Sequence, residues 1–472
     1  MATAATVALT PSTHGVLHVP EISQDSCTRA SQLLQKNHDD YHMYFNTSGF
    51  HNHIAHHLLT IFALGATPSQ IQSAFDTNAP TQRPQFPVTK ENVQSMKDST
   101  QFSKFLGNEK YFHDYEIFFR KEIEAANGDW QSVLHTQLFG PSPQARDLLT
   151  RMYAGFYHPI IHLGFGIEFS QPAIIVEALA QAATHDNWPT KFITATDDLA
   201  SKRLANNEKS RPLFDLINEA RATDKIREAP HWEDGNKVRD GILVRAPTET
   251  AELCSQWLVK PEHDDLRLKT AEMINVAAYF AGATQHASRK KAIKFDFFYM
   301  HCVNASIFYS AFMRPENDWL GNETRAKLLM WKGWNDIALY VSRGSPLLIK
   351  EEITEYKPKN PGDNWPELFK RVDDLMDDGH ASKLLRALAN GEQTCKEFED
   401  GDGKDWPVKG DMWLKLGHMA IDSVEGAGTR WARNVGWDQA WEGIPERDGT
   451  RKEGLKVDAH DTGIQQGYHE TV

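Results

Sequence analysis

Histidine is the residue in this sequence whose number and spacing ask for chemistry. The 472-residue chain holds 21 of them, and six (His38, His42, His51, His53, His56 and His57) fall within one stretch of twenty residues. Imidazole is the commonest protein metal ligand and the one side chain whose charge ordinarily changes near neutral pH. Residues 50–60 read FHNHIAHHLLT. On a helix, His53 and His57 lie one turn apart on one face, beside Leu58 and Ile61. With Cβ atoms about 5–6 Å apart, such an i,i+4 pair can present two nitrogens to one ion at about 2 Å. The plainer alternative is that histidines at a helix end are solvated or cap a carbonyl.

Residues 156–169, FYHPIIHLGFGIEF, carry a second i,i+4 pair, His158 and His162, inside the least polar stretch of the chain. An imidazole buried there without a partner costs about 1–3 kcal/mol, so both rings need one. Pro159 places a helix start at His158. Residues 295–308, FDFFYMHCVNASIF, set His301 among Phe297, Phe298, Cys302, Ala305 and Phe308; a lone histidine of this kind is ordinarily a hydrogen-bonded core residue. In residues 326–341, AKLLMWKGWNDIALYV, Lys332 shares a face with Leu328, Leu329, Asn335 and Leu339. A lysine so placed either snorkels to water or is buried as an amine able to act as a base or to add carbon dioxide and become an anionic carbamate. Together these are three apolar helices turning histidine inward plus one buried lysine, a ligand set for a mononuclear Fe, Zn or Cu ion.

Helical periodicity dominates the elements that must position these residues. The spacing predicts helices over 31–44, 51–64 (with Gly65 as C-terminal cap) and 111–126, an amphipathic stretch over 101–106, and three apolar blocks at 144–183, at 268–283 with 295–312, and at 328–340. Short peripheral strands are expected at Gly15–Val19 and Gly241–Arg245. The expected architecture is all-α: a polar lead-in over 1–30, one large multi-helical catalytic domain over 31–445 with 185–270 and 351–410 peripheral, and a polar tail over 446–472. Asp400–Lys404 (DGDGK) reads as a turn.

Composition narrows the function classes. Hydrophobic residues at 40% and charged residues at 24% exclude a disordered chain, and a balance of 51 basic to 64 acidic residues (net −13) argues against nucleic acid or an anionic membrane as partner. Cys27, Cys254, Cys302 and Cys395 are scattered, as in a reduced intracellular protein. With no signal-peptide pattern and no long apolar run, a cytoplasmic location is expected. No G-x-G-x-x-G follows a strand, and Gly164-Phe165-Gly166 and Gly426-Ala427-Gly428 are fragments, so a Rossmann flavin or nicotinamide site is not supported.

Four blocks in order, FHNHIAHHLLTIFALGA, GFYHPIIHLGFGIEF, MHCVNAS and WKGWNDIALYVSRG, spanning about Tyr41 to Arg343, resemble the questin oxidase-like family of fungal secondary metabolism. The resemblance implies an oxygenase that opens the central ring of an anthraquinone-type polyketide by oxygen insertion. It allows two chemistries: an NADPH-requiring Baeyer–Villiger type, or a non-haem iron, O2-dependent type with Fe(2+) as cofactor and NADPH as a reductant of quinone or metal. It carries His53, His158 and His301 over as metal ligands, then His162 and Lys332, with His57 as the substitute for His162. Beside the histidines, Phe156, Phe165, Phe298 and Trp331 are candidate walls for a flat aromatic substrate, and Tyr157 and Arg343 candidate anchors for its phenolic oxygens. Two rivals stand beside this reading. One is a helical metal-dependent phosphohydrolase, from the dipeptides His38-Asp39, His113-Asp114 and His185-Asp186; the other is a scaffold in which every histidine is structural.

Overall fold

The computed structural model describes residues 1–399, 406–425 and 428–447, so the DGDGK turn and nearly all of the tail lie outside the described residues. Ten helices frame the histidines and their surroundings: α1 (Gln24–Asp40), α2 (Ile54–Leu64), α3 (Phe112–Ala125), α4 (His158–Glu168), α5 (Pro172–Thr184), α6 (His263–Ala283), α7 (Phe297–Phe312), α8 (Asn322–Ser342), α9 (His380–Cys395) and α10 (Met412–Glu425). Their starts and stops are set by local chemistry. Ser23 caps α1 by accepting from the Ser26 amide, prolines sit in the first turns of α4 and α5, and Gly65 closes α2 in the left-handed conformation at φ 95°. The buried carboxylate of Asp296 caps α7 by accepting from the amides of Phe298 and Tyr299.

Among the described residues there is no β-sheet, only isolated bridges, so the fold is all-α. Neither expected strand forms. Gly15–Val19 is irregular chain whose Val16 and Val19 amides donate to the Glu168 carboxylate and the Ala63 carbonyl instead of to a neighbouring strand. Gly241–Arg245 is helical, a π turn over Lys237–Ile242 running into Leu243–Arg245. Its β-branched residues fit a strand, but no partner edge is there to pair with.

α7 is the central column, packed by α4, α6, α8 and α9, while α2 bridges α4 and α9, and α3 covers α5 from outside. Helix α9 lies within the 351–410 stretch expected at the periphery, yet it is a core helix, buried from His380 to Gly391. A buried ion pair, Arg386 to Glu168 at 2.5 Å, ties α9 to α4, and Arg386 also donates to the Leu17 carbonyl at 3.0 Å. Such a pair contributes little net stability, but breaking it strands a buried charge, so it fixes register between the two helices. All four cysteines are free and buried. Among the described residues no helix is long and apolar enough to cross a membrane.

Candidate metal centre

Three helix starts and the body of a fourth helix converge on one point. His53 is the N-cap of α2, His158 the first residue of α4, His380 the first of α9, and His301 lies one turn into α7. All four are buried, and one ring nitrogen from each lies within 4.8 Å of the other three. The Nε2 atoms of His53 and His158 are 2.7 Å apart, and those of His301 and His380 3.3 Å.

The opposite nitrogens say which tautomer each ring adopts. His158 Nδ1 is 2.5 Å from the Gly155 carbonyl and His301 Nδ1 2.6 Å from the Phe297 carbonyl, so both must carry the proton and donate it. His380 Nδ1 lies 2.7 Å from one oxygen of Asp378, and His53 Nδ1 3.5 Å from the other. With the protons spent on Nδ1, four Nε2 lone pairs face one another across hydrogen-bond distances. Nothing among the described residues sits between them to donate. A cation there satisfies all four, and carbonyl or carboxylate support of the far nitrogen is how metal-bound imidazoles are held. Protons are a poor substitute, because burial first, then neighbouring cationic groups, push these rings down: His53 to about 3 against the pull of Asp378, and His158 and His301 well below the ordinary range. Burial also lowers His380. The donor set therefore fits a transition-metal ion.

The backbone is bent to aim His158. Gly155, Phe156 and Tyr157 all have positive φ (53°, 52° and 71°), a run that two aromatic residues adopt only under strong outside constraint. A Cβ on Gly155 would collide with the His185 ring. Tyr157 is held by its hydroxyl, which donates to Asp336 at 2.8 Å. Behind His158 the His51 ring stacks at 3.8 Å, nearly parallel, and His51 leads on through His185 to the Tyr44 hydroxyl.

Of the residues expected at the site, His53, His158 and His301 come together, and the other two ligands do not. His162 lies one turn further along α4 with both nitrogens occupied, by Glu177 at 2.6 Å and by His56 at 3.0 Å. Lys332 is fully buried but its amine is spent on Asp336, one turn along α8, above the Tyr157 ring. His57 faces Asp377 at 3.9 Å and packs against the Gly379 turn, outside the group of four. Among the expected substrate residues, Phe156, Phe298 and Arg343 assemble beside His301, the guanidinium 3.7 Å above the Phe298 ring. Tyr157 belongs to the Lys332–Asp336 network, Phe165 packs behind His56 against Phe308, and the Trp331 indole donates to Asp197.

The sequence reading missed His380, its carboxylate Asp378, and Lys383 one turn along α9. The Lys383 amine is buried with no hydrogen-bond partner, and burial lowers it to about 8. It also missed the rim: Phe297 lies against His301 and His380 at 4.7 and 5.2 Å, Trp431 lies 6.3 Å from His380, and Arg433 sits 4.4 Å over Phe297. Phe297, Asp378 and Arg433 are partly exposed, so this is the side on which the centre approaches solvent.

The sequence profile of the family described as Questin oxidase-like matches residues 50–388, which include all four histidines. A Baeyer-Villiger monooxygenase, dmxR6, of Cryptosporiopsis sp. (strain 8999) is 43% identical over 93% of this chain and 98% of its own length. The Baeyer-Villiger oxidase AgnL3 of Paecilomyces divaricatus is 39% identical over 93% and 96%. A questin oxidase of Aspergillus terreus is 36% identical over 93% and 98%.

Proposed function

The chain belongs to the questin oxidase-like family and is an oxidoreductase; from that premise we propose that it is an oxygenase of fungal secondary metabolism that cleaves the central ring of an anthraquinone-type polyketide with O2 at a four-histidine non-haem iron centre. The observation carrying this reading is the set of four Nε2 lone pairs converging with every Nδ1 already engaged. His53, His158, His301 and His380 would hold the ion. An Fe(2+) ion held there would supply the one-electron chemistry by which ground-state O2 can react with an electron-rich aromatic ring.

The chain's own residues do the rest. Asp378 keeps His53 and His380 in the metal-binding tautomer, and the Gly155 and Phe297 carbonyls do the same for His158 and His301. Three helix N-termini point at the centre, and their positive ends favour an anionic guest such as a phenolate oxygen. Phe297 and Trp431 offer flat faces for a fused-ring substrate, and Arg433 and Arg343 offer positive charge for its oxygens. The four imidazoles themselves bring no negative charge to a divalent ion, and the Asp378 carboxylate stands one ring away from it. Lys383, whose amine has no hydrogen-bond partner and is easily made neutral, is the residue to take up carbon dioxide as the carbamate that the sequence raised as one option for Lys332.

A second reading is an NADPH-dependent Baeyer–Villiger monooxygenase working without metal; the relatives' names support its Baeyer–Villiger part. The two differ in a direct test. Protein purified without oxygen is stripped by chelator, and turnover of an anthraquinone is measured before and after adding Fe(2+). The iron reading expects loss of turnover and its return with one equivalent of iron. Undiminished turnover by stripped protein with NADPH overturns it. Labelled O2 then reports whether one oxygen atom enters the product, with NADPH reducing the other to water, or both do.

A further inference from the structure

A second group of charged side chains lies beside His162, one turn along α4 from His158. His38 comes from α1, Glu116 from α3 and Glu177 from α5, and a ligand atom of each lies within 4.8 Å of the others. Both carboxylates are buried, each only 4% exposed. Each oxygen of Glu177 takes one imidazole, His38 Nδ1 at 2.6 Å and His162 Nε2 at 2.6 Å, which leaves a second lone pair on each. In Glu116 one oxygen accepts from the Gln85 amide at 2.6 Å, while the other is buried without any partner. An orphaned carboxylate oxygen beside a second buried carboxylate is costly, and the cost disappears where a cation is shared between them.

Next to the cluster is a cavity of about 100 Å³ lined by His38, Asp39, His113, Glu116, Ile117 and Arg120. At about 30 Å³ per water that is room for roughly three, enough to complete the coordination of an ion bound from one side. One imidazole with two carboxylates is too poor in oxygen for calcium, which takes six to eight, and suits a borderline first-row ion. The facing group of opposite sign is Arg120 at the cavity wall; the His113 imidazole also lines it, with its Nδ1 held by the Phe86 carbonyl at 2.7 Å.

We propose that His38, Glu116 and Glu177 form a second binding site for a divalent first-row transition ion, separate from the four-histidine centre and completed by water in the adjoining cavity. The unpartnered oxygen of Glu116 is its open ligand. The site joins α1, α3 and α5 and is linked toward the other centre by the hydrogen bonds of Glu177 to His162 and of His162 to His56.

The test is a count of ions. Full-length protein stripped without oxygen is titrated with Mn(2+), free ion is followed by electron paramagnetic resonance, and bound metal is measured after desalting. The wild type is expected to hold two equivalents and Glu116→Gln one, with affinity for the missing ion down by at least 100-fold. In His301→Ala one equivalent should remain, and adding Glu116→Gln should remove it. Wild type holding a single equivalent that Glu116→Gln retains, or Glu116→Gln holding two, overturns the proposal. If Glu116→Gln fails to fold, His38→Gln carries the same expectation. Because the readout is metal content rather than turnover, failure of the oxygenase reading leaves this result intact.

Discussion

Asp378→Asn separates a supported metal centre from a chance meeting of imidazoles. One carboxylate serves two ligands, His380 at 2.7 Å and His53 at 3.5 Å. Burial opposes its charge, but His380 and then His53 hold its carboxyl well below the usual range. The amide keeps one acceptor for His380 and turns an N–H toward His53 Nδ1, which already carries a proton. His53 must then move its proton to Nε2, and a protonated nitrogen cannot bind metal. Losing the carboxylate behind one histidine typically costs 10- to 100-fold in metal affinity. Two adjacent ligands do not add independently, so the expectation is about 100-fold, or ~2.7 kcal/mol. The assay is competition with a chelator of known affinity in the absence of oxygen, with Asp374→Asn on the neighbouring exposed turn as control. The reasoning fails if Asp378→Asn holds the ion within threefold of wild type.

Other expectations concern stability as much as turnover. Stripped of metal, the folded protein resists protonating its four site imidazoles. The unfolded chain therefore binds protons first, and stability, full above about pH 6.5, should fall as pH drops toward 3, by up to about 5 kcal/mol per pH unit. Melting temperature against pH checks this, with bound metal delaying the fall. His38 has the opposite sign: its contribution is present below 6.5 and lost as pH rises through about 9. Gly155→Ala puts a Cβ against His185 at positive φ and should cost about 2–4 kcal/mol in a denaturant titration. The two lysines should behave oppositely. Lys332→Met strands the buried Asp336 carboxylate and should cost about 3–5 kcal/mol. Lys383→Met removes an amine with no partner and should leave the melting temperature nearly unchanged while turnover falls.

The features legible in the sequence are those whose physics is local. Periodicity and prolines place α4 with His158 at its start, and Gly65 marks the end of α2. An i,i+4 spacing is local too, but it does not say which ring faces the ion; that depends on the partner of the other nitrogen, and Glu177 on α5 takes His162 away. The sequence leaves Lys332 open between snorkelling and burial; it is buried, and its partner Asp336 was visible one turn along the same helix. His380 was missed because DDGHASKLL is polar text in a stretch expected outside the core. Its signal was Asp378, a carboxylate two residues before the histidine, turned toward the ring by Gly379 at φ 85°. The rim residues Trp431 and Arg433 come from beyond α10, and only tertiary packing brings them to the centre.

The four donors are far apart along the chain, with His53 and His158 separated by 105 residues and His301 and His380 by 79. An ion held by all four is a staple across most of the polypeptide. A covalent cross-link closing a loop of about 100 residues is worth roughly 4.7 kcal/mol in chain entropy, and an ion at a thousand times its dissociation constant contributes about 4.1 kcal/mol to the folded state. Cells starved of the metal would then hold less of the protein, not only idle protein, because the unstapled chain opens to proteases more often. Supply of the ion would thus set abundance and catalytic capacity through one event.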